Sequence, residues 1–247
     1  MEHVSIIPDT LFHMGALPVT NTLFTSWIVV ILLSVTAIVL STRLCATAGK
    51  LQNVVELVIE TLIDFLSTIA GSREKAIRFF PIVATIFFFI LASNWIGILP
   101  GVGSIGFYHT EAGKEIFSPL FRSVNSDLNM TLALALIVIT LSHVTGFVAI
   151  GAGKHIGKFI SFKSSITFFV GLLEFIGEFA KIVSFSFRLF GNVFAGEVLL
   201  IIISYLIPYV VPVPFLGLEV FVGLIQALIF AVLAMMFFSA ATEHAHH

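Results

Sequence analysis

Apolar residues gather along this chain in five long stretches, at 23–42, 79–99, 128–150, 165–207 and 215–241. Each reaches the roughly 20 residues that a helix needs to cross the hydrocarbon core of a bilayer. A sixth segment, 51–71, is patterned differently. Its sequence LQNVVELVIETLIDFLSTIAG sets Glu56, Glu60 and Asp64 four residues apart, with Leu and Ile filling the other side. Residues four apart share one helix face, which predicts an amphipathic helix lying along the membrane interface. As a further span it would turn three carboxylates toward lipid. The expected fold is an all-α membrane protein of five transmembrane helices plus one interfacial amphipathic helix. It forms a single membrane domain over 1–247, with 1–22 an external N-terminal segment.

Composition narrows the class. The set AVILMFWYC makes up 58% of the 247 residues, and charged residues only 11%. Counting the 18 glycines raises the apolar share to about 65%, against about 45–50% on that count in soluble domains. There is too little polar surface to cover a water-soluble globule. A formal net charge of −2 and only 12 Lys and Arg provide no basic footprint for nucleic acid. The single cysteine, Cys45, excludes an intrachain disulfide and a cysteine-based metal cluster. No phosphate-binding loop, Ser/His/Asp set or His-x-x-x-His pair stands out, and no cofactor is expected.

Basic residues set the expected orientation. Arg43, Lys50, Arg73, Lys75 and Arg78 follow the first span, and Lys154, Lys158 and Lys163 follow the third. The alternate loops hold only Lys114 and Arg122. The positive-inside rule then places the N-terminus outside and the His-rich C-terminus in the cytoplasm, and five spans agree with that parity. The opening MEHVSIIPDTLFHMG has no basic n-region, so no cleaved signal peptide is expected.

The stretch 165–207 is the informative one, because Glu174, Glu178, Lys181, Arg188 and Glu197 interrupt it. Each ionised side chain costs roughly 2.5–3.5 kcal/mol near the bilayer centre, so five facing lipid would cost over ~10 kcal/mol. They must meet water or a partner, and that makes them functional candidates. The stretch is also too long. As one helix it would run roughly 65 Å against a core of about 30 Å. It must either incline strongly, with the last span tilting alongside, or break, and Gly191 and Gly196 are the weak points. On a helical wheel Lys181, Glu174, Asn192 and Glu178 all fall within about 80° of Arg188, and Glu197 about 180° away. One polar stripe is therefore expected from Glu174 to Asn192.

Depth sorts the same residues. Glu174 and Glu178 fall in the cytoplasmic half, Arg188 near the middle and Glu197 toward the outside. The last span runs back inward, so Glu219 lies in its outer half with Gln226 deeper on nearly the same face. Asp127 stands at the outer start of the third span. Three carboxylates thus gather outside Arg188 and two inside it, the layout of two half-channels separated by a fixed positive charge. Arginine stays protonated at any relevant pH, so it cannot carry the proton itself.

At these residues the sequence resembles subunit a of the F-type ATP synthase, the stator proton channel. The resemblance rests on RLFGN over 188–192 continued by AGE over 195–197, on Asn94 and Pro100 in FFFILASNWIGILPG, on Asp127 with Asn129, and on Gln226 in QALIF. It covers nearly the whole chain from about residue 20. It implies that Arg188 faces the essential carboxylate of a rotating c-ring, that Glu197 and Glu219 line the outer access channel with Asp127, Asn192 and Gln226, and that Glu174 lines the cytoplasmic exit with Glu178. Many bacterial members of the family carry His where this chain has Glu219. The implied partners are the c-ring, the peripheral-stalk b subunits and the lipid bilayer of a bacterial plasma membrane. The implied cargo is H+. Na+ stays open because the ion-binding carboxylate belongs to the rotor. The subunit is non-catalytic, and the complex makes ATP.

Plainer readings stand beside these. Glu174 and Glu178 have Lys181 within reach for a local ion pair, Asp127 reads equally as a helix N-cap, and His143 reads as a bundle residue rather than a proton relay. Gly191 and Gly196 read as close-packing positions. The alternative function is a secondary transporter with a buried Arg anion site. That class carries inverted repeats and paired broken helices, and this sequence shows neither.

Overall fold

A computed structural model of the chain describes residues 7–15, 17–42, 49–99, 101–111, 114–151, 153, 155, 157 and 165–242. Arg43, Cys45, Pro100, Lys154, Lys158, Lys163, residues 1–6 of the external segment and the His-rich end 243–247 lie outside the described residues. The described elements run β1 (Thr10–Met14), β2 (Leu17–Thr20), α1 (Asn21–Thr42), α2 (Lys50–Ala70), α3 (Arg73–Ile98), β3 (Gly106–Glu111), β4 (Lys114–Pro119), α4 (Leu128–Ile150), α5 (Ser165–Leu206) and α6 (Pro212–Thr242). Among the described residues α1, α3, α4, α5 and α6 are long and apolar enough to cross a membrane.

Local chemistry explains most boundaries. The chain leaves α2 through Gly71, whose φ of 69° is the left-handed conformation that glycine adopts without a Cβ penalty. It enters α6 at Pro212, where a missing N–H costs nothing because first-turn donors have no helical partner. That is why α6 starts three residues before the predicted 215. The α3 helix begins at Arg73, six residues before the predicted 79, and runs through Pro81. Thr85 Oγ1 donates to the Pro81 carbonyl at 2.7 Å.

The amphipathic segment forms as expected. Glu56, Glu60 and Asp64 of α2 are exposed, and Asp64 pairs with Arg73. Leu62, Leu66 and Ala70 are buried in the common core, while Val54, Leu57 and Phe65 remain exposed. The helix is therefore anchored by its second half and offers apolar surface along the first, as an interfacial helix does.

The two hairpins were not expected. β1 pairs with β2 and β3 with β4, both antiparallel, with Met14 opposite Leu17 and Glu111 opposite Lys114 across two-residue connections. Strands this short cannot display a readable alternation, so the sequence shows them only as loops. The membrane part remains all-α.

The core lies where α3 and α6 meet. Val83, Phe87 and Ile90 of α3 share one buried cluster with Ala227, Ala231 and Ala234 of α6. Small residues at this spacing let backbones approach where no hydrophobic drive separates protein from lipid. Gly223 extends that face, since a methyl there would come 3.1 Å from Asn94 Cβ. The α5 helix joins through Phe185, stacked on Phe230 with ring centroids 3.7 Å apart.

Polar ties fix the helices to one another. Asn125 Nδ2 donates to Asn94 Oδ1 at 2.7 Å, and Asn94 Nδ2 donates to the Gly223 carbonyl at 3.0 Å. Trp95 Nε1 donates to the Val220 carbonyl at 3.1 Å. Thr131 and Ser186 join α4 to α5 at 3.1 Å, and Ser142 Oγ donates to the Phe237 carbonyl at 3.0 Å. Polar groups away from water must be satisfied inside the protein, so these bonds specify which faces meet.

The long helix does not break. α5 is one 42-residue rod through Gly191 and Gly196. At 1.5 Å per residue it is about 63 Å long, roughly twice a 30 Å hydrocarbon core. An upright crossing is excluded unless its ends project far beyond the bilayer.

Candidate ion-translocation site

The α5 helix turns one side to the bundle and the other away from it. Phe185, Ser186, Leu189 and Val193 are buried, whereas Ser184, Phe187, Arg188, Gly191, Asn192 and Ala195 are exposed. Arg188 therefore stands partway along an outward face built largely of small and apolar residues. Among the described residues its guanidinium has no ion pair and no side-chain hydrogen bond. Asn192 Nδ2 donates to the Arg188 carbonyl at 2.9 Å. Arg188 and Gln226 line one crevice between α5 and α6, together with Phe185, Leu189, Phe230 and Leu233. A guanidinium that is always charged, on a helix apolar enough to cross a membrane, must meet water or a partner.

Toward the C-terminal end of α5, Glu197 Oε1 lies 3.2 Å from Arg122 Nε, with side-chain exposures of 28% and 9%. Arg122 is itself held in place: its Nη1 donates to the Ile7 carbonyl at 3.4 Å. Glu219 reaches α5 from the other side. A methyl group on Gly196 would fall 1.4 Å from Glu219 Oε1, so the carboxyl of Glu219 rests against the backbone next to Glu197. Gly196 is thus a close-packing position, as expected. A methyl on Gly191 would meet nothing of this chain within 4 Å, because Gly191 lies on the outward face.

Asp127 is buried and caps α4. Its Oδ1 accepts from the Asn129 backbone N–H and its Oδ2 from Thr22 Oγ1, both at 2.9 Å. The N-cap reading is realised, and among the described residues no bond joins Asp127 to Glu197 or Glu219.

At the other end, Lys181 Nζ donates to Glu178 Oε1 at 2.6 Å, the local ion pair foreseen for it. Glu178 Oε2 is 3.7 Å from His143 Nε2 on α4. Glu174 is exposed and has no ion pair among the described residues. The expected single stripe therefore divides. Glu174, Arg188 and Asn192 stay on the outward face, and Glu178, about 80° from Arg188, rotates into the α4 seam.

Sequence reasoning missed the role of Arg122. The signal available was an arginine on the side where basic residues are scarcest, five residues before Asp127. It also missed the polar ties through Asn21, Thr22 and Asn125. These meet their partners only after the loop between α3 and α4 folds back, where Asn21 Nδ2 donates to the Pro119 carbonyl at 3.3 Å.

Comparison with known proteins gives the family. The family model described as ATP synthase A chain matches residues 23–239. The ATP synthase subunit a of Geobacter sp. (strain M21) is 35% identical over 223 residues, covering 90% of this chain and 87% of the relative. Those of Syntrophobacter fumaroxidans and Desulfotalea psychrophila are each 38% identical, over 79% and 80% of this chain and 73% and 74% of their own lengths. The chain belongs to the ATP synthase A chain family.

Proposed function

We propose that this chain is the ion-translocating stator subunit of its ATP synthase, with two aqueous half-channels that end on either side of Arg188. The observation that carries the reading is the outward-facing guanidinium with no ion pair among the described residues, flanked on one side by Glu197 of α5 and Glu219 of α6 and on the other by Glu174 and Glu178 of α5. The partner it requires is the carboxylate of a rotating c-ring. Peripheral-stalk b subunits and the lipid bilayer complete the surroundings. The cargo is H+, with Na+ governed by the rotor site.

The working cycle follows from electrostatics. At about 4 Å and an effective dielectric near 20, Arg188 favours the ionised form of a facing carboxylate by roughly 4 kcal/mol. A protonated rotor carboxylate arriving from lipid would release its proton toward Glu174 and Glu178. After passing Arg188 it would be reprotonated from the side of Glu197 and Glu219, with Gln226 and Asn192 providing polar contacts beside the cation. Arg188 cannot relay a proton, so it also blocks a direct leak between the two sides. Each charge moved through 100 mV releases about 2.3 kcal/mol, so several are needed per ATP.

With the N-terminus outside, the Glu197 end of α5 opens to the exterior and the Glu174 end to the cytoplasm of a bacterial membrane. Asp127, bound as the α4 cap and to Thr22, acts here by holding the outer wall. Replacing Arg188 with Ala should abolish ATP-driven proton pumping while subunit a still copurifies with the c-ring. Normal coupled pumping in that variant would refute the reading.

A further inference from the structure

The described part of the molecule holds one titratable cluster that the mechanism above uses only at its edge. His143 lies on α4, and each of its ring nitrogens has a partner. Its Nε2 is 3.7 Å from Glu178 Oε2 on α5, and its Nδ1 is 3.1 Å from Nε2 of His155, in the segment that follows α4. His155 is 3% exposed and packs edge-on against Phe147 with centroids 4.6 Å apart. A methyl on Gly146 would come 2.6 Å from His155 Cε1, so the ring is seated in a notch in α4. Around it in sequence, Gly151, Gly153 and Gly157 are exposed. The series Glu178, His143, His155 therefore leads from the α4–α5 seam to a buried imidazole in the segment that follows α4.

We infer that His143 and His155 form a proton relay that extends the exit half-channel from Glu178 into the segment that follows α4. The inference rests on the proposed function, which makes Glu178 an exit residue. An imidazole with both nitrogens engaged accepts at one and releases at the other. A proton leaving Glu178 binds His143 Nε2, the cation gives up its Nδ1 proton to His155 Nε2, and His143 is neutral again in its other tautomer. One proton has moved, no charge is left behind, and rotation of the ring or a return exchange restores the first tautomer. The groups facing His143 suit this task. Lys181 is bound to the other oxygen of Glu178, and Phe237 and Ala241 of α6, which lie against Lys181 and the Gly146 position, carry no charge. The distance matters as well. Glu178 is thirteen residues from the start of α5, about 20 Å of helix, which is too far for a single hop.

The test uses the assembled membrane complex in vesicles stripped of the soluble ATPase head, with passive proton flux driven by a potassium diffusion potential. His143→Gln keeps one donor and one acceptor on a side chain that cannot ionise. It should lower flux by at least about tenfold, the low side of what a positioned acid–base group contributes, and imidazole in the medium should restore it. His155→Gln, which cuts the path one step later, should behave the same way. Parental flux in both variants would overturn the relay, as would a loss that imidazole fails to restore, which would make the pair a structural tie. Copurification of the c-ring checks assembly. Arg188→Ala run in parallel keeps the two ideas apart: normal coupled pumping in that variant sinks the wider reading, whereas defective pumping there with normal flux in both Gln variants sinks the relay alone.

Discussion

The ion pair between Arg122 and Glu197 should be a principal tie between α5 and the loop preceding α4, and its strength can be worked out from its geometry. At the 3.2 Å separation, an effective dielectric near 20 gives an attraction of roughly 5 kcal/mol. Desolvation offsets much of that in the intact pair, but removing one partner strands the other and typically costs 3–5 kcal/mol. Arg122 is 9% exposed and Glu197 is 28% exposed, so water reaches the carboxylate and the lower end applies. Arg122→Leu and Glu197→Leu should each destabilise the chain by about 3 kcal/mol. The double variant should lose about 2 kcal/mol less than the two singles together, because contacting residues couple by that order. The assay is unfolding of the purified chain in mixed micelles by titration with SDS, followed by the fluorescence of its two tryptophans, Trp27 and Trp95. Trp95 donates to the Val220 carbonyl at 3.1 Å, so its signal reports on a helix contact between α3 and α6. Additivity of the single variants within about 0.5 kcal/mol would refute the claim that the two charges support one another.

Further outcomes follow from neighbouring contacts. In Gly196→Ala the new methyl must displace the Glu219 carboxyl, which it would otherwise meet at 1.4 Å. Since the far end of a flexible side chain gives way, c-ring copurification should survive while ATP-driven pumping in vesicles falls. Unchanged pumping would show that the position of Glu219 is not critical. Asn94→Leu leaves Asn125 and the Gly223 carbonyl without their bonds of 2.7 and 3.0 Å, and should cost about 1–3 kcal/mol in the same SDS titration. Asp127→Ala removes a helix cap and the Thr22 bond, and should lower stability by about 1–2 kcal/mol.

Much of the architecture was legible in the sequence because the bilayer imposes a length. An apolar run near 20 residues has few other uses, and the carboxylate spacing of 51–71 marked an interfacial helix before its packing was known. Boundaries moved where local chemistry outranked hydropathy, as at Arg73, where polar residues extend α3, and at Pro212, where proline opens α6. The hairpins were hidden because four to six residues hold too few alternations to read. At the site, Arg188 was conspicuous for the energy a lipid-facing cation would cost. Which way its near neighbour Gly191 faces was not legible, since sequence alone does not tell a glycine facing a helix of the same chain from one facing outward. Contacts between distant segments were beyond reach: Arg122 meets Glu197 from 75 positions away in sequence, and His143 meets His155 only after the chain passes the end of α4.

The central claim is that one permanent cation divides two wet vestibules opening to opposite compartments. A structure of the assembled complex, at a resolution that shows ordered water, measures this most directly. The account predicts one hydrated cleft reaching Glu197 and Glu219, a second reaching Glu174 and Glu178, and a dry gap between them at Arg188, with the guanidinium facing a rotor carboxylate. A single continuous cavity joining Glu197 to Glu174, or a guanidinium directed into acyl chains away from the rotor, would contradict it.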